Sequence, residues 1–423
     1  MLILRRISAT LLVRGMSAVA SLGLAALVTT VYSLAVFGAF SFALMTVKMV
    51  AAIALFSIHS VLLKLLLRGE LGQDRRARPA VVRECGGMAT LFSLMAMVVV
   101  IAVALGAMEL GASGDFWLSL ALTAPIIPLQ NITNVQAVVL RAERRDATSQ
   151  VLLIGLPTIL PPLVVGAGAL AGQTPRFLPE VAATGAFLVA ALAGVVLSRT
   201  APFLHLSAGA RALLGRRHRI VRHAWAPHLA NMMNYLSDWY GSMLLAATQS
   251  MEMTGALRII QQFGAMFQLM ITSVENPLST EIGRAHRNRD YPAARRFLRH
   301  SQLLLGGAGW ALALVAALLS GPILSAFKAD LPQVQLALIV FLAFQAGRTL
   351  TGASGSALFL MDATPLLVRA ATISLVLAAV LQSALVPFLG IVGAAAGLGA
   401  GMMARAVITY LFVQRELSRR TPA

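Results

Sequence analysis

Apolar residues do not alternate singly with polar ones along this chain. They run in blocks, each about as long as a helix that crosses a bilayer, roughly 20 residues. Blocks at 10–32, 35–66, 86–108, 116–140, 149–171, 181–198, 225–248, 251–278, 302–327, 333–358, 366–388 and 391–413 predict twelve transmembrane helices and an all-α, polytopic membrane protein. The second and eighth blocks are long enough to tilt strongly or to project past the bilayer. Arg5 and Arg6 ahead of an apolar run resemble a secretory leader, but the run from Leu11 to Tyr32 is longer than a leader core and a second block follows at once. It is read as the first span. Pro125 and Pro128 interrupt the fourth block, and Pro157, Pro161 and Pro162 the fifth, which predicts kinks there.

Composition agrees with that pattern. Of 423 residues, 58% are hydrophobic and 12% charged, against about 25% charged in soluble domains. The formal net charge of +18 would ordinarily suggest nucleic acid, but the cations sit mostly in the short gaps between blocks. Twenty-five of the 34 basic residues fall at the N-terminus, in the even-to-odd gaps and in the C-terminal tail, Arg75, Arg76, Arg78, Arg216, Arg217, Arg219, Arg295 and Arg296 among them. The opposite side holds two, Arg176 and Lys328. The positive-inside rule therefore puts both termini in the cytoplasm. Basic residues that are 31 Arg and 3 Lys, with abundant Ala, suggest a GC-rich bacterial gene and hence the bacterial inner membrane. The single cysteine, Cys85, excludes an internal disulfide.

The chain also repeats. Asp146-Ala-Thr after the fourth block recurs 216 residues later as Asp362-Ala-Thr after the tenth. At the same offset Asp74 matches Asp290, Arg83 matches Arg299 and Arg199 matches Arg415. The expected organisation is a six-helix lobe over 1–198, a basic cytoplasmic linker over 199–224 and a second six-helix lobe over 225–423. Two halves with an even number of spans share one orientation in the membrane.

Charges inside spans are costly, about 2.5–3.5 kcal/mol each on insertion scales, and mark functional positions. At 100° per residue, His228, Asn231, Asn234, Asp238 and Ser242 share one face of the seventh span. Arg258, Gln261, Gln268, Thr272, Glu275 and Asn276 share one face of the eighth. Arg14, Ser17 and Ser21 line the first; Ser41, Lys48 and His59 the second; Gln345, Arg348, Thr349 and Ser356 the tenth. Arg405 continues the Gly393, Gly397, Gly401 series of the twelfth, where small residues permit close helix contact. Single amides on such faces commonly serve as interhelical hydrogen bonds. The charges as a set are different: five cations, Arg14, Lys48, Arg258, Arg348 and Arg405, stand against two acids, Asp238 and Glu275. That positive surplus predicts an anionic substrate. Lys48 and Arg348, one from each half, are both expected near the bilayer midplane, where they would contact the substrate together. Asp238 and Glu275 are the candidates for coupling to a proton or sodium gradient.

Several chemistries find no support. There is no GxxxxGK[ST] phosphate loop, no HExxH, and no metal-ligand spacing among the seven histidines. No cofactor is expected. The outer gaps are short, 172–180 and 328–332 among them, and leave little chain for a glycan polymerase or ligase site.

Asn234-Tyr-Leu-Ser-Asp238, Gly255-Ala-Leu-Arg258-Ile-Ile, Pro277 and Asp290-Tyr-Pro-Ala-Ala resemble the polysaccharide and O-antigen flippase branch of the multidrug/oligosaccharidyl-lipid/polysaccharide exporter superfamily. So does the block opening with Asp362-Ala-Thr-Pro365 and closing with Val386-Pro387-Phe-Leu-Gly-Ile-Val-Gly393-Ala-Ala. The first half matches mainly in span layout. The resemblance implies two lobes around a V-shaped cleft, alternating access, and a cationic cleft that receives the diphosphate and sugars of a polyprenyl-linked oligosaccharide for exopolysaccharide or O-antigen assembly. It places Arg258 and Asp238 at recurrent positions of that family. Multidrug members are similar in fold and use buried acids in the N-terminal lobe. Here all eight acids of the first half, Glu109 and Asp115 included, are read as lying in gaps, which counts against a cation-coupled drug antiporter.

Overall fold

The computed structural model describes residues 2–68, 77–112, 114–214, 218–288, 290–352, 354 and 364–419. Among them there are helices and turns and no β-strand. Among the described residues nine helical segments are long and apolar enough to cross a membrane, and the chain is a polytopic helical membrane protein. It divides into two compact units, Met1–Met232 and Met233–Ala423.

The first unit holds α1 (Leu2–Val31), α2 (Leu34–Leu55), α3 (Ile58–Arg68), α4 (Ala77–Glu109), α5 (Asp115–Thr123), α6 (Ile126–Ala142), α7 (Asp146–Gln150), α8 (Leu156–Leu170), α9 (Leu178–Ser198) and α10 (Leu206–Leu214). It also holds the start of α11 (His218–Thr248). Ser33 caps α2 by accepting from the Val36 N–H at 3.2 Å. The fourth predicted block breaks at Ala124–Pro125, where its prolines predict it. The fifth runs from α7 through a π-turn at Val151–Gly155 into α8, with Pro161 and Pro162 inside the helix.

The second predicted span differs from expectation. It is not one helix over 35–66 but two, parted by Phe56 and Ser57, whose φ values are 47° and 50°. Left-handed backbone costs a non-glycine residue about 1–2 kcal/mol, so packing must hold this break. The Phe56 ring lies 4.4 Å from His228 and 5.8 Å from Trp225, both on α11, and His228 is buried. Inside the unit, Asn131 ties α6 to its neighbours by donating to Ala51 O and Ser93 Oγ, both at 2.8 Å. Gln136 donates to Ala191 O at 3.2 Å. Hydrophobic side chains on the other faces stay exposed, Val98, Val99 and Val103 on α4 and Leu192 and Val196 on α9, as lipid-facing surface requires.

Residues 202–214, within the segment read as a linker, form a 3₁₀ turn (Pro202–His205) and α10, which pack on α4. Gly87 and Gly209 make the crossing possible: a Cβ on Gly87 would collide with the His205 carbonyl and sit 2.8 Å from Gly209 N. Gly87→Leu is expected to destabilise the protein by about 1–3 kcal/mol through overpacking, read as a lower melting temperature of purified protein. Gly15→Ala, where nothing lies within 4 Å, is the neutral control.

The second unit holds the rest of α11, then α12 (Met251–Arg287), α13 (Tyr291–Leu318), α14 (Ser320–Ala326), α15 (Pro332–Thr349), α16 (Thr364–Leu389) and α17 (Ile391–Arg419). Asp290 caps α13, its carboxylate accepting from the Ala293 N–H at 3.0 Å. The glycine series of α17 faces α16: a Cβ on Gly397 would lie 2.9 Å from Gln382 N, and one on Gly401 2.6 Å from Ala378 Cβ. Ser374 adds a hydrogen bond across the same seam, to Gly401 O at 2.6 Å. The tenth span, expected over 333–358, is helical to Thr349, after which Gly352 takes a φ of 62°. Ser356, Asp362 and Ala363 lie outside the described residues, as do Asp74–Arg76 and Arg216–Arg217.

Candidate functional site

Helices α11, α12 and α15 are the expected spans that do not figure among the nine apolar ones. They carry the polar faces. On α11, Asn234 and Asp238 are four residues apart and share a face. On α12, Arg258 and Gln261 are three apart, and on α15 so are Gln345 and Arg348. α17 contributes Met402 and Arg405, likewise one turn apart.

These faces meet in the second unit. Arg405 donates Nη1 to Asn234 Oδ1, joining α17 to α11. Arg348 donates Nη1 to Gln345 Oε1 at 3.1 Å and Nη2 to Gln268 Oε1, joining α15 to α12. Gln345, buried at 1% exposure, donates to Met402 Sδ at 3.1 Å, and Arg348 Nη1 lies 3.8 Å from the same sulfur. Arg258 donates Nη1 to Gln261 Oε1 at 3.1 Å, and Gln261 donates to the Asp238 main-chain oxygen at 3.4 Å. The Asp238 carboxylate is within electrostatic reach of both Arg258 and Arg348. Gln261 thus links the Arg258 guanidinium to the Asp238 main chain, while the Asp238 carboxylate interacts with Arg258 through space.

The chemistry of this arrangement follows from its partners. An amide oxygen accepts from a guanidinium N–H without itself carrying a charge. Three arginines held by amides on four converging helices, with Asp238 as the acid among the described side chains, make an electropositive and donor-rich site. All three guanidinium residues are half-buried, so the dielectric screening of bulk water is reduced. Arg348 sits in the last turn of α15, where the helix dipole also favours a cation. No cluster of three His, Cys, Asp or Glu among the described residues could hold a metal.

Of the other candidate residues, those that the structure describes belong to the first unit. The Glu275 side chain lies outside the described residues. Asn231, one turn before Asn234, is exposed and belongs to the first unit. Arg14 and Lys48 are also in the first unit. Arg14 donates Nε to Gln150 Oε1 at 3.3 Å, close to Arg141, which donates to Ser149 Oγ at 3.0 Å and is balanced by Asp146. The Lys48 ammonium lies 5.8 Å from the Phe187 ring centroid, within cation–π range.

One sequence expectation needs correction. The acids of the first half do not all lie in gaps: Glu180 is buried at 1% exposure in the first turn of α9. Ser119 donates to its Oε1 at 2.6 Å, while Oε2 has no hydrogen-bond partner among the described residues. It escapes a reading by blocks because it stands one residue before the apolar run 181–198. Met402, Gln150 and Arg141 also give no sequence signal, since each is an ordinary residue for its position and only the packing makes it a neighbour of the charges.

No protein-family model matches the chain, and no curated protein sequence does either. Solved structures do match in fold. A lipid II flippase MurJ in an inward closed conformation aligns with a TM-score of 0.75 and 12% identity over 97% of this chain and 89% of that one. An inward-facing multidrug resistance MATE family transporter of the MOP superfamily aligns at 0.71 and 14% over 98% of each chain. A MOP superfamily transporter from Pyrococcus furiosus, described as having a binding pocket of reverse polarity, aligns at 0.64 and 15% over 99% of this chain and 96% of that one. This chain has the fold of the MOP superfamily transporters.

Proposed function

We propose that this protein is a flippase that moves a polyprenyl-diphosphate-linked oligosaccharide across the bacterial inner membrane by alternating access, for assembly of a cell-surface polysaccharide. The observation that carries this reading is the convergence of Arg258, Arg348 and Arg405 from three helices, each held by an amide. Guanidinium groups grip phosphate oxygens bidentately, and Asn234, Gln268 and Gln345 offer amide groups for the diphosphate or the first sugar. Asp238, with Glu275, is the candidate for coupling to a proton or sodium gradient. The superfamily fold supports transport, and the lipid-linked substrate of the flippase neighbour supports the substrate class.

Both termini and residues 199–224 lie in the cytoplasm in this reading. Reporter fusions after Arg217 and Arg419 should therefore both behave as cytoplasmic; an external signal at either overturns the orientation. Cells lacking the protein should accumulate a lipid-linked glycan on the cytoplasmic side. The second reading, a cation-coupled multidrug antiporter, draws on buried Glu180 and on the MATE neighbours. It predicts no glycan accumulation in the deletion strain and a lowered tolerance to cationic drugs instead.

A further inference from the structure

A cavity of about 550 Å³ lies in the first unit, well away from Asp238 and its arginines in sequence and in a different compact unit. It sits where α3, α6 and α9 end and α4 begins, at Arg68, Ala142, Ser198 and Ala77. Those are span ends on the arginine-rich side, the depth at which phospholipid headgroups lie. Its volume is that of a small-molecule site.

The lining is amphiphilic in an ordered way. Leu66, Val82, Val139 and Pro202 supply apolar wall. Arg83, Arg199 and His205 supply the basic rim, against Glu143, which is 3.7 Å from Arg145 and so already answered by a cation. The carbonyl ends that gather here also have their own donors. Arg145 donates to Leu197 O at 2.8 Å, and Gln136 to Thr200 O at 3.3 Å. Arg83 spends its Nε on Pro79 O at 3.3 Å, and both the Arg83 and Arg199 side chains remain exposed. Arg199 is fixed at the cavity by its backbone, since it ends α9 in the left-handed region at φ 54°. Beyond His205 the chain continues into α10, which packs closely on α4 at Gly87 and Gly209.

From this placement we infer that the cavity is a binding site for the phosphodiester headgroup of an anionic glycerophospholipid of the leaflet on the basic side. Basic pockets between spans at that depth attract anionic headgroups, and an apolar wall beside the cations suits the glycerol and upper acyl chain. The inference needs the orientation given by the arginine distribution but not the substrate assigned to the second unit.

The test is lipid retention by the full chain purified in detergent, delipidated, and titrated with phosphatidylglycerol, phosphatidylcholine or inorganic phosphate. Native mass spectrometry counts the adducts. The wild type should keep phosphatidylglycerol about tenfold or more over phosphatidylcholine, and Arg83→Gln with Arg199→Gln should lower that retention to the phosphatidylcholine level. Ala142→Phe, which fills the cavity and keeps both charges, should do the same, while Arg83→Lys with Arg199→Lys should retain most binding. If the glutamine pair does not fold, the phenylalanine and lysine variants decide alone. Wild-type retention by the charge-neutral or cavity-filled protein overturns the inference. So does equal binding of phosphatidylcholine, or displacement by inorganic phosphate, which would make the site one for free anions.

Discussion

Arg348→Gln is expected to abolish translocation while leaving expression and membrane insertion intact. The guanidinium joins α15 to α12 through Gln268 and reaches Met402 on α17, so it stands where three helices meet. A glutamine at 348 can still hydrogen-bond Gln268 or Gln345 and so keeps the helix contacts. What it cannot do is answer the charge of a diphosphate. Losing a pair of charge-assisted hydrogen bonds costs about 3 kcal/mol, or on the order of 100-fold in rate. Arg348→Lys keeps the charge without the planar fork and should fall between the two. A fluorescent lipid-linked oligosaccharide in proteoliposomes reads the effect. Normal rates from Arg348→Gln would show that the anion binds elsewhere.

Asp238→Asn and Arg258→Gln should each impair transport, and the double change should do less harm than the two effects added. Each single change removes one charge of an interacting, half-buried pair; Asp238 keeps Arg348 within electrostatic reach when Arg258 is neutralised. The expected coupling between the two charges is about 1 kcal/mol or roughly fivefold. Strict additivity in the double-mutant cycle would mean that the two residues do not act together.

Much of this architecture is legible in the chain because apolar length and cation placement report directly on bilayer thickness and topology. Proline marks the break at Ala124–Pro125 in advance. The break at Phe56–Ser57 carries neither glycine nor proline, and it depends on rings from α11 that are remote in sequence. The charged residues of the second unit are visible for a related reason: an arginine in an apolar helix is expensive unless its surroundings answer it, so its mere presence is informative. Their partners are not visible. A methionine such as Met402 is unremarkable in a span, and nothing at Gln150, at the start of the fifth block, announces its partner Arg14. Glu180 shows the limit from the other side, since burial at a helix start cannot be told from exposure in a gap by hydropathy alone.

Flippase function is tested most directly by translocation in liposomes, with purified protein offered a polyprenyl-diphosphate-linked oligosaccharide and, separately, a cationic dye. The glycan lipid should cross and the dye should not, and Arg258→Gln, Arg348→Gln and Arg405→Gln should each suppress the crossing. Dye export driven by a cation gradient, with no movement of the glycan lipid and with sensitivity to Glu180→Gln instead, would contradict that function.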